Sequence, residues 1–249
     1  MTIDALSGIR GILFDLDGTL LNVEMNAFVF NYVEGLSHCF DDLASHRDFS
    51  RAVLDSAFEM LRSDDEAMTN EEFFLDRMFR RLGIPPLLFR DRLEVYFRSG
   101  LQALAPLVRP FPLARRILRL CFENNLKVII ATNPVFPRPV VDARMHWGRL
   151  NDFPFHLITS YENCRFCKPH PRYFQDILLS QGLEPEESLM VGNDSEFDLP
   201  ACQAGIPTFL LEDRCNLGLT GRPHRPDFQG GHADLLMLVE DIVRKRRNR

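Results

Sequence analysis

No apolar run in this 249-residue chain approaches the ~20 residues that a membrane-spanning helix requires. Basic charge is not in excess either: 29 Lys and Arg stand against 35 Asp and Glu, a formal net charge of −6. Without surplus cations to displace counterions, a general binder of nucleic acid or of acidic membranes is excluded. The one basic run, Arg244 to Arg249, follows the pattern Leu235, Leu236, Leu238, Val239, Ile242. It therefore reads as a helix end, where cations meet the negative pole of the macrodipole. Met1 to Ala5 hold neither a basic nor an apolar stretch, so no secretory leader is expected. Cysteines are few: Cys39, Cys121, Cys164, Cys167, Cys202 and Cys215, mostly in apolar contexts. That usage suits a reducing compartment, and a cytoplasmic protein with free thiols is expected. Between Asn22 and Val108 there is no lysine at all.

What is present is an ordinary globular composition, 45% apolar, 26% charged and 10% aromatic. The length suits one large α/β domain or a domain with a modest insertion. Gly11-Ile12-Leu13-Phe14 reads as a buried strand that stops at Asp15-Leu16-Asp17-Gly18-Thr19. From Met25 to Leu43 apolar residues then recur at helical spacing, and Phe49, Val53, Met60 and Leu61 mark a second helix. Thr69 with Glu72 three residues on reads as a capping box opening a third helix, which Gly83 closes. A fourth helix is expected to about Leu104, so Asn22 to Val108 reads as an all-helical block without a strand.

From Pro110 short apolar strands alternate with helices. Strands are expected at Lys127–Ala131, His156–Thr159, Ser188–Val191 and Thr208–Leu211, and helices at Pro112–Asn124, Val140–Trp147, Pro171–Gln181 and Leu199–Ala204. Thr220 to Gly231 reads as a surface loop. The alternation predicts an α/β fold, a doubly wound, Rossmann-like parallel-sheet core with crossovers on both faces and a smaller all-helical cap. The expected bounds are 1–21 and 109–249 for the core and 22–108 for the cap. Ligand sites in such sheets lie at the C-terminal strand ends. Asp15 and Asp17, Thr132 and Asn133, and Asn193 and Asp194 all fall there.

Two carboxylates one residue apart at the mouth of a buried strand repel each other and lack solvation. A divalent cation held by oxygen ligands would stabilise them, and Mg²⁺ prefers such ligands. The set Asp15-Leu16-Asp17-Gly18-Thr19, Ala131-Thr132-Asn133, Lys168-Pro169 and Gly192-Asn193-Asp194-Ser195-Glu196-Phe197-Asp198, in that order, resembles the haloacid dehalogenase-like superfamily of phosphohydrolases. The resemblance spans almost the whole chain and places the helical insertion between its first and second motifs.

It implies a Mg²⁺-dependent phosphatase acting on a small phosphorylated metabolite through an aspartyl-phosphate. Asp15 would be the nucleophile and a metal ligand. Asp17 would be the general acid–base, touching the metal through its backbone carbonyl. Thr132, Asn133 and Lys168 would bind the phosphoryl group, Lys168 also holding Asp15. In the fourth motif Asn193 stands where most relatives have an acidic residue. Asp194 is therefore expected as the metal ligand with Asn193 as the alternative, and Asp198 as an orienting partner of the metal shell or Lys168. A sugar phosphomutase shares these motifs and stays open, as does an inactive ligand-binding relative. A dehalogenase needs neither Asp17 nor an acidic fourth motif. A phosphonate hydrolase would need a cap lysine, which this chain lacks. Cys164-Arg165-Phe166-Cys167 has no second cysteine or histidine pair to complete a zinc site and reads as two loop thiols, while His170 reads as a helix-entry residue. The oligomeric state is not legible.

Overall fold

The structure, a computed structural model, describes residues 7–212 and 224–247. Asp213, Cys215 and residues 220–223 of the expected loop lie outside the described residues, as do residues 1–6 and 248–249. The main strands are β1 (Gly11–Phe14), β4 (Lys127–Ile130), β5 (Leu157–Ile158), β6 (Ser188–Gly192), β7 (Thr208–Leu211) and β8 (Phe228–Gly230). They form one parallel six-stranded sheet in the order β5-β4-β1-β6-β7-β8.

β1 is central, with Ile12 beside Val128 on one side and Leu189 on the other. A strand covered on both faces must be apolar throughout, and all of β1 is buried. Successive side chains point to opposite faces. Ile12, Phe14, Val128, Ile130, Leu189 and Val191 accordingly enter one buried cluster, and Leu13, Ile129 and Met190 another. Phe174 and Ile177 of α7 (Pro171–Gln181) close the second cluster. Residues of α5 (Ala114–Glu123), α6 (Arg138–Trp147) and α8 (His232–Arg247) close the first. Helices thus cover both faces of a doubly wound, Rossmann-like sheet.

Between β1 and β4 the chain makes α1 (Met25–Ser37), α2 (His46–Met60), α3 (Asn70–Leu82) and α4 (Pro86–Ser99). Thr69 and Glu72 form the full capping box of α3, and Gly83 ends it in the left-handed conformation. The ends of this stretch differ from the sequence expectation. Leu21–Val23 (β2) and Val108–Pro110 (β3) pair antiparallel, Asn22 opposite Arg109. The departing and returning chains meet at one place, and their backbone groups satisfy each other there.

Three short elements add detail. The helix expected at Leu199–Ala204 is of the 3₁₀ type, with Pro200 near its start and Gly205 ending it after six residues. Leu101–Leu107 is likewise 3₁₀ and carries Pro106. Within the expected C-terminal loop, Phe228–Gly230 pairs with β7 as the edge strand β8.

Candidate active site

Asp15 follows β1 directly, and its amide donates to the carbonyl of Val191 on β6. Its carboxylate meets Lys168, whose ammonium donates to Asp15 Oδ1 at 2.9 Å and to Asp198 Oδ1 at 2.6 Å. Lys168 is only 1% exposed, so its charge depends on these two partners. Burial works against the ammonium, yet Asp15 and Asp198 together hold its pKa above the usual lysine value. Burial pushes the Asp198 carboxyl up to about 7, against the pull of Lys168.

Asp198 also builds the turn after β6. Its Oδ2 accepts the amides of Asn193 at 3.0 Å and Asp194 at 2.9 Å. A side chain at Gly192 would overlap this carboxyl, which explains glycine there. Asp194 Oδ1 in turn accepts the amides of Glu196 at 2.8 Å and Phe197 at 3.0 Å. Asn193 Oδ1 accepts the hydroxyl of Thr19 at 3.1 Å, joining this turn to the one after β1. Gly18, at φ 93°, lies under the Asn193 side chain where a Cβ would collide. The ring of His232, at the start of α8, reaches the Thr19 carbonyl at 2.8 Å and steadies the same turn.

Asp17 pairs with Arg144 of α6 through Oδ2, whereas its Oδ1 is buried without a hydrogen-bond partner. Burial pushes its carboxyl up to about 6, Arg144 pulling it down and Asp15 pushing it up. Arg144 has no exposed surface, and its guanidinium stacks 4.7 Å from the Phe136 ring centroid and 5.5 Å from that of Phe28. Nothing in the sequence marks this residue, because an arginine in an amphipathic helix ordinarily reads as solvated.

Thr132 follows β4, and its carbonyl accepts the hydroxyls of Thr159 at 2.7 Å and Tyr173 at 2.8 Å. Asn133 Oδ1 accepts the Lys168 amide at 3.2 Å, so its oxygen orders the lysine loop. His170 caps α7 by accepting the Arg172 amide at 3.1 Å, as expected of a helix-entry residue.

Asp15, Asp17, Thr132, Asn133, Lys168, Asn193, Asp194 and Asp198 all line one cavity of about 620 Å³ between the strand ends and α1–α4. The side chains of Asp15, Asp17 and Asp194 do not converge as a trio. Among the described residues the only three His, Cys or carboxylate ligand atoms within 4.8 Å of one another belong to Glu34, His38 and His46, outside the cavity lining. The cysteine pair has another task. Cys164 contributes its carbonyl to the Asn70 amide at 2.8 Å, and Cys167 Sγ accepts Asn70 Nδ2 at 3.3 Å. Burial pushes the Cys164 thiol up to about 12 and Cys167 also well up, which makes both poor nucleophiles.

The family model for haloacid dehalogenase-like hydrolases matches residues 9–205, from just before β1 to the glycine that ends the 3₁₀ helix after β6. This chain belongs to that family of hydrolases. It is 24% identical over 241 residues to the pyrophosphatase PpaX of Bacillus cereus (strain AH820), covering 95% of this chain and 99% of that protein. The fold is similar to that of a HAD phosphatase from Thermococcus onnurineus, with a TM-score of 0.58, 18% identity and coverage of 93% and 98%. It is also similar to the L-2-haloacid dehalogenase of Xanthobacter autotrophicus, with a TM-score of 0.52, 20% identity and the same coverage of 93% and 98%. Likeness at this level establishes the shared fold and leaves the chemistry to the site. No helix among the described residues is long and apolar enough to cross a membrane.

Proposed function

We propose that this hydrolase is a Mg²⁺-dependent phosphatase of small phosphorylated metabolites in the cytoplasm, with residues 22–108 as a helical cap over a core of 1–21 and 109–249. The observation that carries the reading is the buried Lys168 ammonium bridging Asp15 and Asp198 on the floor of a cavity that also holds Asp17. A carboxylate nucleophile beside a fixed cation suits attack on an anionic phosphoryl group.

The donors fit a hard cation: Asp15 and Asp194 offer carboxylate oxygens, Asp17 its backbone carbonyl, and among the described residues no thiol or imidazole lines the cavity. Asp194 is preferred over Asn193 because a carboxylate is the harder, charged ligand. When bound, Mg²⁺ would neutralise phosphoryl charge and let the anionic nucleophile approach. Asp15 attacks phosphorus and becomes the aspartyl-phosphate. Lys168 holds Asp15 and a phosphoryl oxygen, Asp198 holds Lys168, and Thr132 donates its hydroxyl to another phosphoryl oxygen. Asp17 gives its proton to the leaving alkoxide and then takes one from the hydrolytic water.

Its Arg144 contact fixes one carboxyl oxygen and leaves the other for this exchange. A halide departs without a proton, so an acid kept beside the nucleophile favours ester chemistry over dehalogenation.

Asp15→Asn keeps the shape but removes the attacking charge, so turnover should fall to background. Asp17→Asn should cost about 10²–10⁴-fold in phosphoryl transfer on an alkyl phosphate and less on an aryl phosphate, whose leaving group needs little protonation. Single-turnover rates on both esters measure this. Equal Asp17→Asn defects would remove it as general acid, and an active Asp15→Asn would end the covalent mechanism.

A further inference from the structure

The cavity is much larger than a phosphoryl group requires, and its two ends differ in chemistry. Polar side chains sit at the strand ends and at Asn22 and Asn26, where the chain enters α1. Beyond Asn26, the side chains that α1 to α4 contribute are hydrocarbon, apart from the Tyr32 hydroxyl. Val33, Leu36, Val53, Phe74 and Leu93 represent that roof, with the more exposed Phe58 at its rim. The helices are rich in arginine, yet no arginine among the described residues lines the cavity. Arg77 and Arg81 pair with Glu59, Arg80 with Asp76, Arg90 with Glu71 and Arg92 with Asp42, all away from the cavity lining. Lys168, on the floor, is the single cation among the described lining residues.

From this division we infer that the enzyme's substrates are phosphate monoesters of apolar alcohols, alkyl or aromatic, whose hydrocarbon part fills the helical roof. The inference rests on the phosphatase reading above. The P–O bond breaks, the phosphoryl group passes to Asp15 and then to water, and the alkoxide leaves as the neutral alcohol with a proton from Asp17. A second anionic group in the roof would lose its hydration with no cation to replace it. That penalty falls on pyrophosphate, the substrate in the name of the Bacillus relative, and on any phosphate ester bearing a carboxylate. A methylene moved from water into the roof gains instead, by up to about fourfold in affinity.

The test uses the full chain with Mg²⁺ and a series of n-alkyl phosphates from ethyl to hexyl, with pyrophosphate and phosphoglycolate alongside. kcat/KM should climb with each methylene, by at most about fourfold, so that hexyl phosphate stands up to about 250-fold above ethyl phosphate, and above pyrophosphate and phosphoglycolate. The matching n-alkylphosphonates, which cannot be hydrolysed, should bind more tightly along the same series by calorimetry. Phe58→Arg, at a position 57% exposed and so tolerant of charge, should flatten both slopes. Flat slopes in the native protein, or pyrophosphate or phosphoglycolate as the best substrate, would overturn the inference and leave the phosphatase reading standing. Absence of phosphate release from every compound would instead overturn the phosphatase reading, and the substrate class with it.

Discussion

Arg144 and Asp17, the proposed acid–base, form an ion pair at the edge of the cavity. The arginine is fully buried and the Asp17 side chain is 14% exposed, so neither charge is well solvated. Breaking a buried pair by removing one partner leaves an uncompensated charge and costs about 3–5 kcal/mol. Arg144→Met should therefore lower unfolding free energy by about 3 kcal/mol in urea denaturation. It should also slow phosphoryl transfer from alkyl phosphates more than from aryl phosphates, because Asp17 loses the contact that orients it. Arg144→Lys should not restore the native rate, since an ammonium cannot reproduce the planar guanidinium between two aromatic rings. Native stability and native rates in Arg144→Met would show that the pair matters to neither.

At the scale of the element, the turn after β6 is built by its own acidic residues. Asp198 and Asp194 each accept two backbone amides, so the turn is held by its own carboxylates whichever residue faces a cation. Asp194→Ala would confuse loss of a ligand with loss of the turn. Asp194→Asn keeps an oxygen for the Glu196 and Phe197 amides but removes the charge. We expect Asp194→Asn to weaken Mg²⁺ binding by about tenfold or more while the fold persists, as judged by metal titration and circular dichroism. Asn193→Ala should weaken it less. The reverse order would make Asn193 the ligand.

For the molecule as a whole, the question is how the helical layer is seated on the sheet domain. Asn70, the first residue of α3, is 1% exposed and donates its amide side chain to the Pro134 carbonyl at 3.2 Å as well as to Cys167. The backbone amides of Asn70 and Glu71 donate to Cys164 and Tyr161, both at 2.8 Å. One helix end thus grips the loops after β4 and before Lys168, while Asp64 and Glu66 pair with His170 and Arg172 nearby. Asn70→Ala strands buried acceptors and should cost about 1–3 kcal/mol. Hydrogen exchange should quicken at residues 70 and 71 while the amides of β1 stay protected. Unchanged exchange there would show that Asn70 does not hold the layer down.

Features set by neighbours in the chain are legible in the sequence itself. The Thr69–Glu72 box, the glycine stops at Gly83, Gly182 and Gly205, and the apolar strands that end at Asp15, Thr132 and Asn193 depend on backbone conformation over a few residues. Parallel alternation then places Asp15, Asp17, Thr132, Asn133, Asn193 and Asp194 at neighbouring strand ends, whereas Lys168 is expected there only through the resemblance to the haloacid dehalogenase-like superfamily. Contacts between distant parts of the chain are not legible there. Arg144 lies 127 residues from Asp17, and its helix would read the same whether it faced water or a carboxylate. Asn70 lies 97 residues from Cys167, and nothing in the sequence near either residue points to the other. β8 is three residues long, too short to show a period, and is a strand only because β7 offers it an edge. Local propensity acts over one or two turns of backbone, whereas burial, pairing and the apolar roof arise only when tertiary packing brings remote residues together.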